Sequence, residues 1–229
     1  MRAIRTVAVA ALVALDVSAA AAQSTRHFKD SWFWGLKAGE TFYQSQSYHS
    51  KFPFDPKGGL APMGGIDWLI TRTKGGLYVS FDHSWLLRDS VFVNDSISPL
   101  DTVPRVVRIG SLRRFTIAGM VFPMQSYRVH PYAGLGWALS YLGKADAVGT
   151  YRNGTQQQLV LATIDQFRSA AAPIVIIGTQ VRMVKFSVFG QITATAANSN
   201  FFLWDGSNWR TTAEGGLRWN LGTSIDPLR

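Results

Sequence analysis

At 229 residues, with 47% apolar and 16% charged residues, the chain is long enough to bury one sizeable core. It has no cysteine, which excludes a disulfide framework and thiolate metal ligands. The formal charge of +9 points to an anionic neighbour or, equally well, to a solvated basic surface without a dedicated partner.

The N-terminus reads as an export leader. Arg2 and Arg5 precede an uncharged apolar run from Thr6 to Leu15, and Ala19–Ala22 then offers an Ala20-x-Ala22 cleavage site before Gln23. Asp16 interrupts the pattern. An uncleaved anchor is the alternative, but the run is well short of the roughly 20 residues a spanning helix needs. The expected organisation is a cleaved signal over 1–22 and one domain over 23–229, of about 207 residues and formal charge +8. No other stretch is long and apolar enough for a membrane helix. Export makes nucleic acid a poor partner; phosphate-bearing lipid or polysaccharide is a better one.

Period-two alternation then recurs in eight runs. In WFWGLKAGETFY, Trp32, Trp34, Leu36, Ala38 and Phe42 share a face. Next, LAPMGGIDWLIT sets Ile66, Trp68 and Ile70 against Met63, Gly65 and Asp67. LYVSFDHSWL sets Leu77, Val79, Phe81, His83 and Trp85 against Tyr78, Ser80, Asp82 and Ser84. In LRRFTIAGMVF, Phe115, Ile117 and Val121 oppose Arg114, Thr116 and Ala118, and Arg113 is expected at or beyond the edge of the apolar zone. PYAGLGWALSYLG places Ala133, Leu135, Trp137, Leu139 and Tyr141 opposite Gly134, Gly136, Ala138 and Ser140. PIVIIGTQVRM sets Val175, Ile177, Val181 and Met183 against Gly178, Gln180 and Arg182. FSVFGQITATA alternates Phe186, Val188, Ile192 and Ala194 with Ser187, Phe189, Gln191, Thr193 and Thr195. Finally, WRTTAEGGLRWNLG sets Ala213, Leu217, Trp219 and Leu221 against Thr212, Glu214, Gly216, Arg218 and Asn220.

The connections alternate in length. RTKGG, PMQSYR and Val184-Lys185 are tight-turn lengths, whereas 44–59, 88–103 and 144–172 are long and NSNFFLWDGSN is intermediate. A Greek-key sandwich does not give this rhythm. The expected fold is all-β, an eight-stranded antiparallel up-and-down transmembrane β-barrel with short periplasmic turns and long extracellular loops.

The polarity of the faces fits. Leu36, Trp68, Val79, Phe81, Ile117, Leu135, Trp137, Leu139, Ile177, Val188, Leu217 and Trp219 are expected to face lipid. Trp32, Trp34, Phe42, Trp68, Trp85, Phe115, Trp137, Tyr141 and Trp219 fall mainly near the run ends, as expected of interfacial girdles. The opposite face carries small residues and the charges Lys37, Asp67, Asp82, Arg114, Arg182, Glu214 and Arg218. Eight strands leave an interior just wide enough for side chains, so these charges are expected to pair into a polar plug. A gated, ion-selective conduit is the sharper alternative.

GLKAG, RVHPYAGLGWALSYLG and GGLRWNLG resemble the small eight-stranded outer-membrane β-barrel superfamily of OmpA-like, OmpX-like and OmpW-like proteins. The likeness covers nearly all of the mature chain and includes no catalytic signature. It implies the bacterial outer membrane, with outer-membrane lipid and lipopolysaccharide as neighbours and the barrel-assembly machinery and periplasmic chaperones as partners in biogenesis. Such barrels usually end on an aromatic residue, whereas here GTSIDPLR follows Leu221, so the assembly signal is internal or the tail enters the periplasm.

No catalytic, cofactor or metal site is expected. His27, His49, His83 and His130 are scattered. His83 and Ser84 invite comparison with lipid A deacylases or acyltransferases, but neighbours on a strand point to opposite faces and cannot act as base and nucleophile. KGG at 74–76 reads as a turn. RVVRIGSLRR could meet lipopolysaccharide phosphates through Arg105, Arg108 and Arg113. In 153–171, Leu159, Val160, Ile164 and Phe167 fit one side of a short helix, and a strand extension fits as well. The leading functional expectation is a non-enzymatic integral outer-membrane protein with a structural or surface-interaction role. Alternatives are a small channel, a lipid A-modifying enzyme and a soluble lipocalin-like barrel of opposite polarity.

Overall fold

A computed structural model describes residues 28, 30–44, 58–86, 89–92, 105–124, 128–148, 151–183, 186–196, 201 and 209–223. The expected leader, His27, His49 and the tail beyond Thr223 lie outside the described residues. The long barrel strands are β1 (Ser31–Gln44), β2 (Gly58–Thr71), β3 (Gly75–Trp85), β6 (Ser111–Val121), β7 (Val129–Leu142), β9 (Ser169–Arg182), β10 (Phe186–Ala196) and β11 (Trp209–Thr223). They form a closed barrel in the order β1-β11-β10-β9-β7-β6-β3-β2, and every neighbouring pair is antiparallel. Closure is made by β1, whose Lys37 stands opposite Gly216 on one side and Gly65 on the other. Hydrocarbon supplies no partner for a free strand edge, so this closure is what makes the sheet compatible with lipid.

Side chains alternate strictly. On β6 and β7 each exposed residue is followed by a buried one almost without exception. Large apolar residues occupy the outer face: Leu135 is 68% exposed, Trp137 60%, Ile177 63% and Leu217 40%. Every residue expected to face lipid lies outward, with Val79, Val188 and Trp219 partly covered by neighbours. Trp34 packs against Trp219 at 5.6 Å and stands opposite Trp68, which gives an aromatic row near the ends that carry the tight turns. Trp137 and Phe115, in contrast, lie within the apolar band, between Leu135 and Leu139 and beside Ile117. The turns close by backbone bonds, Arg72 N–H to Gly75 at 2.7 Å and Met183 N–H to Phe186 at 2.8 Å.

The long connections hold structure that the periodicity did not disclose. β4 (Asp89–Phe92), β5 (Arg105–Ile109) and β8 (Ala145–Val148) form a separate three-stranded sheet in the order β4-β5-β8. β5 leads into β6 through Gly110, and β8 follows β7 after Gly143 and Lys144. Bonds from Leu86 N–H to Gly110 (3.1 Å) and from Gly143 N–H to Ser111 (2.8 Å) tie the bend. One wall of the barrel, β3-β6-β7, therefore continues beyond the barrel rim as a second sheet.

α1 (Gly154–Gln166) resolves the two readings of the 153–171 segment in favour of a helix. Asn153 caps it by accepting from Gln156 N–H at 2.8 Å, and the Gln156 side chain accepts in return from Arg152 N–H at 2.9 Å. Val160 and Ile164 are buried against Val107, Ile109, Leu112, Leu142 and Ala145, while Leu159 faces outward. The same cluster includes Ala61, an inward residue of β2. The helix thus packs onto the barrel mouth opposite the tight turns. We predict that Trp137→Arg destabilises the folded protein by about 2–4 kcal/mol, the cost of a cation within the apolar band. Urea unfolding in phospholipid vesicles measures it.

Candidate functional site

The lumen is the candidate site, and its layout follows from small residues placed beside large ones. Inward positions of β1 read Phe33, Gly35, Lys37, Gly39 and Thr41. Gly35 stands opposite Asp67 on β2 and Arg218 on β11. A Cβ there would strike both side chains, so the glycine is the gap across which they meet. Lys37 in turn is flanked by inward Gly65 and Gly216, which leave room for its stem.

Two linked ionic groups result. Lys37 Nζ lies 2.7 Å from Asp82 Oδ1 and 2.9 Å from Glu214 Oε2, and donates to Tyr78 Oη at 2.9 Å. Arg114 donates from Nε to Asp82 Oδ2 at 2.9 Å; its Nη2 lies 2.8 Å from that oxygen and 3.7 Å from Glu214 Oε1. Its Nη1 is spent on the hydroxyls of Thr193 and Thr212, both at 3.1 Å. One inward layer nearer the tight turns, Arg218 grips Asp67 across Gly35, with Nη2 to Oδ2 at 2.7 Å and Nε to Oδ1 and Oδ2 at 3.2 and 3.1 Å. Arg218 Nη1 donates to Gln180 at 2.9 Å, and its guanidinium stacks 3.7 Å from the Phe189 ring centroid.

Gln191 joins the two groups. Its Nε2 donates to Glu214 Oε1 at 2.8 Å and to Tyr78 Oη at 3.1 Å, while its Oε1 accepts from Tyr132 at 2.7 Å and from Arg218 at 3.4 Å. All six ionic side chains are buried, and three carboxylates meet three cations. The cluster is neutral. Charge balance and full partnering are what allow ions to persist out of water.

Arg182, expected as a fourth cation, is not part of the network. It is the last residue of β9, next to a tight turn, where its backbone N–H bonds to Arg128. Among the described residues no ion pair joins it to the six. Its face was foreseen, but its height places it at the mouth. Of the arginines expected to meet lipopolysaccharide, Arg113 is exposed on the outer barrel face, Arg108 is exposed on β5 opposite Asp146, and the Arg105 side chain lies outside the described ones. Ser84 points inward and pairs its hydroxyl with Thr41 at 3.3 Å, while His83 points outward against Trp85, so the two do not meet.

The lumen is also more apolar than a purely polar plug. Phe28, Phe33, Leu69, Met120, Phe122, Tyr132 and Ile176 fill its tight-turn end, and Ala118, Ala138 and Ile174 carry the cluster up one wall. Phe28 stacks on His130 at 4.0 Å and meets Phe122 edge-on at 5.0 Å. At the other end Ala61, Leu112 and Leu142 merge into the core beneath α1. The ionic cluster is thus enclosed between two apolar seals. The signal for the lower seal was the continuous apolar run in PIVIIG, which supplies both outward Val175 and Ile177 and inward Ile174 and Ile176.

These contacts predict an asymmetry in mutational cost. Asp67→Ala leaves the Arg218 guanidinium buried without its carboxylate and should destabilise the barrel by about 3–5 kcal/mol. The double change Asp67→Leu with Arg218→Met should recover most of that loss, as read by urea unfolding of the refolded protein.

No protein-family pattern matches this sequence, and no curated protein matches it significantly. Solved structures do. Neisserial surface protein A (NspA) is 9% identical with a TM-score of 0.51, covering 83% of this chain and 97% of that one. The outer membrane protein OprG from Pseudomonas aeruginosa is 11% identical with a TM-score of 0.46, covering 84% and 94%. Closure at eight strands, an apolar exterior and the likeness to NspA together give one conclusion: the chain has the fold of the small outer-membrane β-barrels.

Proposed function

We propose that this chain is a non-enzymatic, non-conducting integral protein of the bacterial outer membrane, whose barrel holds a folded extracellular head for surface contact. In this reading a leader over 1–22 is removed on export, and periplasmic chaperones and the barrel-assembly machinery deliver the chain. The observation that carries it is the lumen filled by buried, mutually paired side chains. A permeating ion would have to displace the Phe28–Phe122–His130 stack, part six mutually paired ions and lift the core beneath α1. Each step removes a favourable contact without supplying a replacement. The separation of His83 from Ser84 argues against acyl transfer at that pair.

Planar-bilayer recording of the refolded protein tests the reading. No discrete conductance is expected for the native chain, and steady single-channel steps would establish the channel alternative instead. The head gives a separate expectation. Ile164→Asp places a charge in the core shared by α1, β5 and β8. Protease added to intact cells should then cut this region faster, while the barrel strands remain protected.

A further inference from the structure

The outer face of β3, β6, β7 and β9 can be followed in register from the tight-turn end upward. The first layer is Leu77, Gly119, Leu135 and Val175, the second Val79, Ile117, Trp137 and Pro173, and the third Phe81, Phe115, Leu139 and Ala171. All are apolar. The fourth is His83, Arg113, Tyr141 and Ser169. One register step thus takes four neighbouring strands from hydrocarbon chemistry to hydrogen-bonding and cationic chemistry.

Tyr141 is the centre of that layer. Arg113 stands directly across from it on β6, and Arg168, just ahead of β9, stacks its guanidinium 4.9 Å from the Tyr141 ring centroid on the other side. Arg168 is fixed in place by donating from Nε to the Leu142 carbonyl at 2.9 Å and from Nη1 to Asp165 at 3.2 Å. Among the described residues Arg113 has no carboxylate partner, so Asp165 leaves the pair of guanidiniums with a net positive charge. A cation at the edge of an acyl layer needs an anion, and a guanidinium fork matches the oxygens of a phosphate.

We propose that Arg113 and Arg168, on either side of Tyr141, bind a phosphate of lipid A in the outer leaflet, with acyl chains lying along Phe115, Leu139 and Trp137. The site rests on the outer-membrane reading above. It differs from the sequence-based expectation by replacing Arg105 and Arg108 with Arg168, which the α1–β9 junction brings to the barrel wall. A phosphorylated lipid fits better than a soluble anion because the cations border three apolar layers, which a soluble anion would leave uncovered.

The test uses the full chain refolded into phosphatidylcholine vesicles containing bisphosphorylated lipid A, dephosphorylated lipid A or phosphatidylglycerol, with bound lipid counted by native mass spectrometry. The native chain should retain bisphosphorylated lipid A in preference to the other two. R113Q/R168Q should retain about tenfold less, as expected for losing a charge-assisted contact. R113Q alone, which leaves the Leu142 contact intact, should show part of the loss, and R72Q in a periplasmic turn none. Equal retention by R113Q/R168Q, or equal binding of dephosphorylated lipid A or phosphatidylglycerol, would overturn the site while leaving the barrel assignment standing. A native chain that does not insert into any of the vesicles would overturn the outer-membrane reading, and the site with it.

Discussion

Every feature of this molecule follows from the need to pair β1 with β11. In hydrocarbon an unpaired amide has no partner, so the sheet cannot end and must close. Closure at eight strands fixes a narrow lumen, and a narrow lumen cannot accept large side chains at neighbouring inward positions. The arrangement around Gly35 is the local expression of that limit. Asp67 and Arg218 reach one another because the residue between them in register has no side chain.

The charges inside are better understood as specifying the barrel than as strengthening it. Burying an ion costs several kcal/mol, and its partner returns much of this rather than exceeding it. Their arrangement does something apolar packing cannot. The contacts tie β1 to β3 and β11 through Lys37, β2 to β11 through Asp67 and Arg218, and β10 to β3 and β11 through Gln191. A slip of one residue in any of these strands would turn a charge out into lipid and leave its partner unpaired. The network therefore penalises incorrect registers heavily while adding little net stability to the correct one. The apolar seals complement it by keeping water away from ions whose attraction depends on low local polarity.

How far the sequence foretells this depends on what alternation encodes. Period two reports which face a side chain occupies, so the outward set from Leu36 to Trp219 and the inward set from Lys37 to Arg218 were legible. It does not report height. Arg182 has the right parity and the wrong depth: it lies two residues before the Val184-Lys185 turn, and its pairing with Ser187 places it there. Where both faces are apolar, as at Ile174–Ile177, parity places Val175 and Ile177 outward but does not announce that inward Ile174 and Ile176 join an apolar cluster. The short strands β4 and β8 are too brief for any period to register, and they exist through pairing with β5. Arg168 was illegible for a related reason, since its position depends on how α1 folds back before β9.

The barrel is consequently two-sided. The wall formed by β1, β11 and β10 presents an apolar outer face of Trp34, Leu36, Leu217, Val188 and Ile192. The wall formed by β3, β6 and β7 continues upward as β4, β5 and β8, supports α1 and carries the polar layer around Tyr141. A head built on every strand would restrain the whole rim, and a head built on none would be tethered only by loops. Here it continues from one wall by backbone hydrogen bonds at Gly110 and Gly143, so its orientation is set by the barrel. That coupling makes the region above β3-β6-β7 a surface of defined shape.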